Sequence, residues 1–357
     1  MSDRFRKFVQ IIGSGPHTGK SLTREEAAEA MEMMLLQTAT PAQIGAFLIA
    51  HRIKRPTGAE LAGMLDTYAK IGPQLQPVSS HLRSPVIFGI PYDGRSRTAP
   101  IAPIVSLIMT AAGIPVILHG GDRMPTKYGV PLVDIWQEWG IDWTNVSLDK
   151  IQDIFAQTGL GFIYTPTHFP TAAGLTPYRD QIGKRPPIAT LELMWCPYAG
   201  DAHLIFGYVH PPTEQMALVA ATLRDTPHKI TTVKGLEGSS DLPRDRAVII
   251  GVHQSGQELE RIFLHHYDYG LSNINLPLLP TPELIANFAT VFQGQPSELL
   301  NSVLWNAGFY LWHCGATSDM ATGMKLTQEL LTSGAVSQQL EQVRKSFDSR
   351  SVKFARE

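Results

Sequence analysis

Val86-Ile87-Phe88-Gly89-Ile90 runs straight into Pro91-Tyr92-Asp93-Gly94-Arg95-Ser96-Arg97-Thr98, and this junction decides the fold. A short apolar run that stops at a glycine-bearing loop has the pattern of a buried strand. Residues 101–112 are apolar and long enough for a helix, and Val116-Ile117-Leu118 is a second short apolar run. Strand, loop, helix and strand in so few residues predict a βαβ unit with parallel pairing. Further strands are expected at residues 161–164, 203–208, 229–233 and 247–250, with helical stretches between several of them. Long helical segments are expected at 282–292, 299–314 and 319–333. Trp305, Phe309 and Trp312 recur there at helical spacing and should face a core.

Upstream of Pro85 the period changes. Thr23 with Glu26 three residues later is a capping-box pair, and Ala27, Ala30, Met31, Met34 and Leu35 follow as an apolar stripe. Thr40-Pro41 opens a second helix and Thr57 a third, after an expected basic turn His51-Arg52-Ile53-Lys54-Arg55-Pro56. The chain is therefore expected to be α/β: a small N-terminal helical domain, residues 1–75, beside a larger α/β domain, residues 76–357, with a mainly parallel central sheet. Some later helices should return to the helical domain. No repeat or low-complexity segment is visible.

Three loops invite a phosphate. Gly13-Ser14-Gly15-Pro16-His17-Thr18-Gly19-Lys20-Ser21 imitates a phosphate-binding loop, but Ser14 stands where that motif needs its first glycine, and a helix rather than a strand precedes it. The loop after Val86-Ile87-Phe88 is better placed, at the carboxyl end of a strand. There Gly89 and Gly94 permit tight turns, Asp93 can organise the loop, and Arg95 and Arg97 can face phosphate oxygens. The adjacent strand ends in His119-Gly120-Gly121-Asp122-Arg123-Met124-Pro125-Thr126, where Arg123, Thr126 and free backbone N–H groups could join the same crevice. His265-His266-Tyr267-Asp268 has metal-ligand residue types without a matching cluster, and no nucleophile motif is present.

With these stretches in view, nearly the whole chain resembles the anthranilate phosphoribosyltransferase family, which shares its fold with pyrimidine nucleoside phosphorylases. The most similar stretch runs from Leu22-Thr23-Arg24-Glu25-Glu26 through Thr40-Pro41-Ala42-Gln43 to Glu60-Leu61-Ala62. Gly89 sits where the family has its Gly-Thr-Gly-Gly-Asp-Gly loop for phosphoribosyl pyrophosphate (PRPP). His119-Gly120 with Arg123 resembles the family's Lys-His-Gly-Asn-Arg segment, and Pro166-Thr167-His168 followed by Arg179 resembles its acceptor-binding stretch. The resemblance implies pentosyl transfer from PRPP to a nitrogenous acceptor near His168 and Arg179. It assigns Asp93, Arg95 and Arg123 to the catalytic work, and Glu237 and Asp241 to a Mg²⁺ ion. It also implies a homodimer through the helical domain.

Departures fall on the chemistry. Ile90-Pro91-Tyr92 replaces the bare backbone that approaches pyrophosphate, Pro100-Ile101-Ala102-Pro103 removes hydroxyls and an amide, and Leu118 stands where the family has lysine. Only Asp241 matches the family's acidic pair unless Glu237 substitutes, so Mg²⁺ binding should be weakened. These losses predict poor or absent anthranilate transfer. Tyr92-Asp93-Gly94-Arg95 and Lys234-Gly235-Leu236-Glu237-Gly238 look like a paralogous branch associated with nucleic-acid binding, so a non-catalytic binder of nucleic acid or another phosphate-bearing ligand is the alternative.

Composition sets the outer limits. The 357 residues are 43% hydrophobic and 17% charged, which excludes a mainly disordered chain. A formal charge of −2 gives no global pull on nucleic acid, leaving only local clusters such as 51–55 and Arg95 with Arg97. Two cysteines, Cys196 and Cys314, cannot build a disulfide framework. No apolar run is long enough to span a bilayer and no secretory signal is visible, so a cytoplasmic protein with no membrane partner is expected.

Overall fold

Capping chemistry written into the first sixty residues sets the helical unit. In the computed structural model, which describes residues 2–15, 18–79, 81, 83–226, 229–254 and 256–348, helix α1 spans Asp3–Gly13, α2 Arg24–Leu35, α3 Pro41–Lys54 and α4 Gly58–Ile71. Complete capping boxes start three of them: Thr23 with Glu26, Thr40 with Gln43, and Thr57 with Glu60. Each box satisfies two amides that a helix start otherwise leaves open. Glu60 does more, because its buried carboxylate also accepts from Leu22 N at 2.9 Å and Lys54 Nζ at 2.8 Å. Helices α2 and α4 cross so closely that a Cβ on Gly63 would lie 1.9 Å from the Arg24 carbonyl oxygen.

The larger unit is built on a seven-stranded sheet in the order β3-β2-β1-β4-β5-β6-β7. The strands are β1 Val86–Gly89, β2 Val116–Gly120, β3 Leu160–Tyr164, β4 His203–Gly207, β5 Lys229–Val233, β6 Val248–His253 and β7 Glu260–Leu264. The first five in spatial order are parallel, and β6 and β7 pair antiparallel. Every residue of β1 to β4 is buried, as a parallel sheet covered on both faces requires. Helices Ala102–Ala111, Glu298–His313 and Ala335–Asp348 supply part of that cover. The βαβ reading of residues 86–120 is thus borne out, and Trp305 and Phe309 lie in the core with Trp312 packed against it.

The chain does return to the helical unit. Helix Pro211–Arg224 packs on α4, and Asp66 accepts from Arg24 Nε at 2.7 Å and Arg224 Nε at 2.9 Å. The sequence reading passed over two elements. Strand β7 is largely exposed at the sheet edge, so it carries no buried alternation. Helix Ala335–Asp348 is polar overall, although Val336, Leu340 and Val343 form its buried stripe. Among the described residues no helix is long and apolar enough to cross a membrane.

Candidate functional site

Strand order reverses beside β1, and loops from the carboxyl ends of β1, β2, β4 and β5 meet there, where open parallel sheets leave a crevice. Gly89 ends β1 against the helix Ile188–Met194, and a Cβ at Gly89 would sit 1.9 Å from the Leu193 carbonyl oxygen. Gly94 turns the loop at φ +73° with the backbone of Gly129 and Val130 close behind it. Both glycines therefore shape the loop. Tyr92 folds inward, its hydroxyl 2.6 Å from His119 Nδ1. Burial holds that phenol protonated, well above its usual 10, and pushes His119 down to about 3. The hydrogen bond therefore joins two neutral groups, and His119 offers no positive charge to a phosphate. Its neighbour Gly120 accepts from Thr165 Oγ1 at 3.2 Å.

Arg95 is placed differently from the sequence expectation. Its side chain is 2% exposed and turns away from solvent into the loop after β5. Nη1 donates to Ser239 Oγ at 2.6 Å and Asp241 Oδ2 at 2.5 Å, Nε reaches Glu237 Oε1 at 3.4 Å, and Nη2 donates to Thr98 Oγ1. Glu237 adopts the left-handed φ of +54° and accepts from the amides of Ser96 at 3.2 Å, Arg97 at 3.0 Å and Thr98 at 3.0 Å. Burial pushes the Glu237 carboxyl up, but the Arg95 guanidinium and these amides outweigh it and hold it at about 2. Burial also pushes Asp241 up, against the pull of Arg95.

Glu237 and Asp241, which the sequence reading gave to one metal ion, instead both face the Arg95 guanidinium. Lys127 Nζ adds a second cation 3.7 Å from Glu237 Oε2. The two carboxylates already meet Arg95, Lys127 and, at 3.9 Å, Arg97, and among the described residues no group of three His, Cys, Asp or Glu is arranged to hold a metal. The residues present do not fit the Mg²⁺ ion that the resemblance implied, because a hard dication needs carboxylate oxygens free to bind it.

On the acceptor side, His168 is spent on structure: Nδ1 accepts from Tyr164 N at 3.0 Å, and Nε2 lies 2.8 Å from the Val146 carbonyl oxygen. Arg179 lines a pocket with Tyr68, Tyr92, Met124, Thr165 and Glu192. Its Nη2 donates to both Glu192 oxygens, at 2.8 and 2.9 Å, and both side chains are buried. Desolvation pushes Glu192 up while Arg179 draws it down. An arginine expected to meet a substrate carboxylate thus already holds one of the chain's own.

Three groups remain for a ligand. Asp93 is buried, and neither of its oxygens has a hydrogen-bond partner. Arg185 Nη2 lies 3.8 Å from it, and burial lowers the pKa of Lys127 while nearby Asp93 partly offsets this. Arg97 is 78% exposed at the mouth, 3.9 Å from Glu237. Arg123 is 46% exposed and pairs with Asp134 at 2.7 Å, while Thr126 is exposed. Lys127, Arg185 and Glu192 escaped the sequence reading. Glu192 carried a signal, as the single charged residue in the apolar segment 186–195.

Sequence families were matched in two adjoining parts. Residues 12–72 match the helical bundle domain of a glycosyl transferase family, and residues 94–337 match its a/b domain. The chain belongs to this glycosyl transferase family. Similar members of the family include the anthranilate phosphoribosyltransferase of Verminephrobacter eiseniae, 26% identical over 91% of this chain and 93% of the relative. That of Rhodopseudomonas palustris is 25% identical over 91% and 94%. Among solved structures, the Thermus thermophilus anthranilate phosphoribosyltransferase aligns with TM-score 0.78 and 20% identity, covering 98% of this chain and all of that one. The Saccharomyces cerevisiae enzyme in complex with PRPP and Mg aligns with TM-score 0.81 and 13% identity over 98% and 99%. The fold of these solved relatives thus extends over nearly the whole of this chain.

Proposed function

We infer that this family member takes a pentosyl phosphate such as PRPP in its crevice and that anthranilate is not its acceptor. The observation that carries the reading is the Arg179–Glu192 pair. A carboxylate acceptor would have to displace Glu192, leaving a second anion in the same buried pocket, and such displacement is costly. A neutral nitrogenous acceptor avoids that conflict, because its N–H edge could donate to Glu192. On the donor side, the unpartnered oxygens of Asp93 suit sugar hydroxyls, while Lys127, Arg185 and Arg97 suit phosphate. A solved structure of the yeast relative in complex with PRPP and Mg supports PRPP as the ligand by analogy. A homodimer through the helical unit and a cytoplasmic location belong to this reading, and sedimentation at several protein concentrations checks the first.

Exposed Arg97 and Arg123 favour a second reading, in which the crevice rim meets a nucleic-acid backbone. Salt separates the two, because a polyanion releases condensed counterions on binding and a small phosphate releases few. Calorimetric titration with PRPP, and separately with a single-stranded oligonucleotide, is run across a range of salt. Saturable PRPP binding with a shallow slope is expected. Absence of PRPP binding beside oligonucleotide binding with a steep slope would replace the first reading with the second.

A further inference from the structure

We propose that the Arg95 guanidinium is a built-in substitute for a divalent cation, and that removing it would open a divalent-cation site between Glu237 and Asp241. Four oxygen donors surround the guanidinium: carboxylates of Glu237 and Asp241 and hydroxyls of Ser239 and Thr98. Oxygen-only sets of this kind suit hard dications rather than soft ones. Arg95 occupies their centre, is closed off from solvent, and reaches all four with its own N–H groups. Charge agrees with the geometry. Arg95, Lys127 and, at 3.9 Å, Arg97 already supply at least as much positive charge as the two carboxylates carry, so an added dication would bring an uncompensated double charge.

The substitution has a structural gain. A metal ion would join the loops after β1 and β5 only while bound, whereas Arg95 grows from the first loop and grips the second permanently. The three amides of Ser96, Arg97 and Thr98 on Glu237 complete the same clasp. The β1 loop is thereby held shut on the β5 loop in every ligation state, and phosphate binding at the rim falls to Lys127, Arg185 and Arg97.

The test uses Mn²⁺ alone as the probe, so its outcome does not depend on the identity of the ligand. The full chain, Arg95→Ala, Asp241→Asn and the double variant are titrated by calorimetry and by thermal unfolding. Wild type is expected to show no saturable Mn²⁺ binding. Arg95→Ala should bind one Mn²⁺ at least about tenfold more tightly and gain thermal stability with it, since affinity follows the number of charged ligands left free. The double variant should lose that gain. A single saturable Mn²⁺ site in wild type that Asp241→Asn abolishes would overturn the proposal. So would a folded Arg95→Ala variant with no more affinity than wild type. If Arg95→Ala is unfolded without metal, folding restored by Mn²⁺ supports the proposal, and the wild-type and Asp241→Asn titrations still decide it.

Discussion

At the scale of single residues, two internal ion pairs govern what the crevice can accept. Breaking a buried pair by deleting one partner strands the other, at a cost of about 3–5 kcal/mol. Arg95→Met strands both Glu237 and Asp241, so its urea-unfolding midpoint should fall accordingly; an unchanged midpoint would remove Arg95 from the account. Glu237 adds a pH signature. It binds its proton less readily folded, at about 2, than at its ordinary value of 4.5. Its contribution is therefore full above about pH 4.5 and is lost as pH falls towards 2. The stability gap between wild type and Glu237→Gln should be wide near pH 6 and much narrower near about pH 3. A gap equal at both values would contradict the assignment. For the second pair, Glu192→Gln releases the Arg179 guanidinium. A charge-assisted hydrogen bond contributes about 1.5–3 kcal/mol, so anthranilate should bind this variant roughly tenfold or more tightly than wild type in a fluorescence titration.

Elements were more legible than their connections. Thr57 caps α4 with its hydroxyl accepting from Glu60 N at 3.2 Å, and Thr57→Ala should cost about 1 kcal/mol in chemical unfolding. Gly63→Ala should cost more, because its methyl group would meet the Arg24 carbonyl of α2 and force the two helices apart. Equal losses in the two variants would show that the helices separate freely. Capping boxes and apolar runs act over three or four residues, which is why the helical unit and the parallel strands could be read from sequence. The positions of the loops at the strand ends could be read too, since they follow from the strands. Side-chain direction could not. Arg95 meets Glu237, 142 positions away, and Arg179 meets Glu192 only because two short helices fold over one pocket. Asp93, by contrast, lies in the crevice loop the sequence marked, without a hydrogen-bond partner for either oxygen.

Across the whole molecule, the chain carries the family's two-part fold. The helical bundle and the a/b domain match over residues 12–72 and 94–337, and the solved relatives cover nearly the full chain. Within that frame, the Arg95 guanidinium lies between Glu237 and Asp241, and Glu192 holds Arg179. In the proposed function both features remove a demand on the substrate or its metal, and anthranilate is disfavoured as acceptor. The most direct test follows anthranilate fluorescence with purified wild-type chain, PRPP and Mg²⁺ under saturating conditions. The account predicts no consumption above the rate without protein. Sustained turnover on the order of 1 s⁻¹ or faster, within the ordinary range for enzymes, would contradict it.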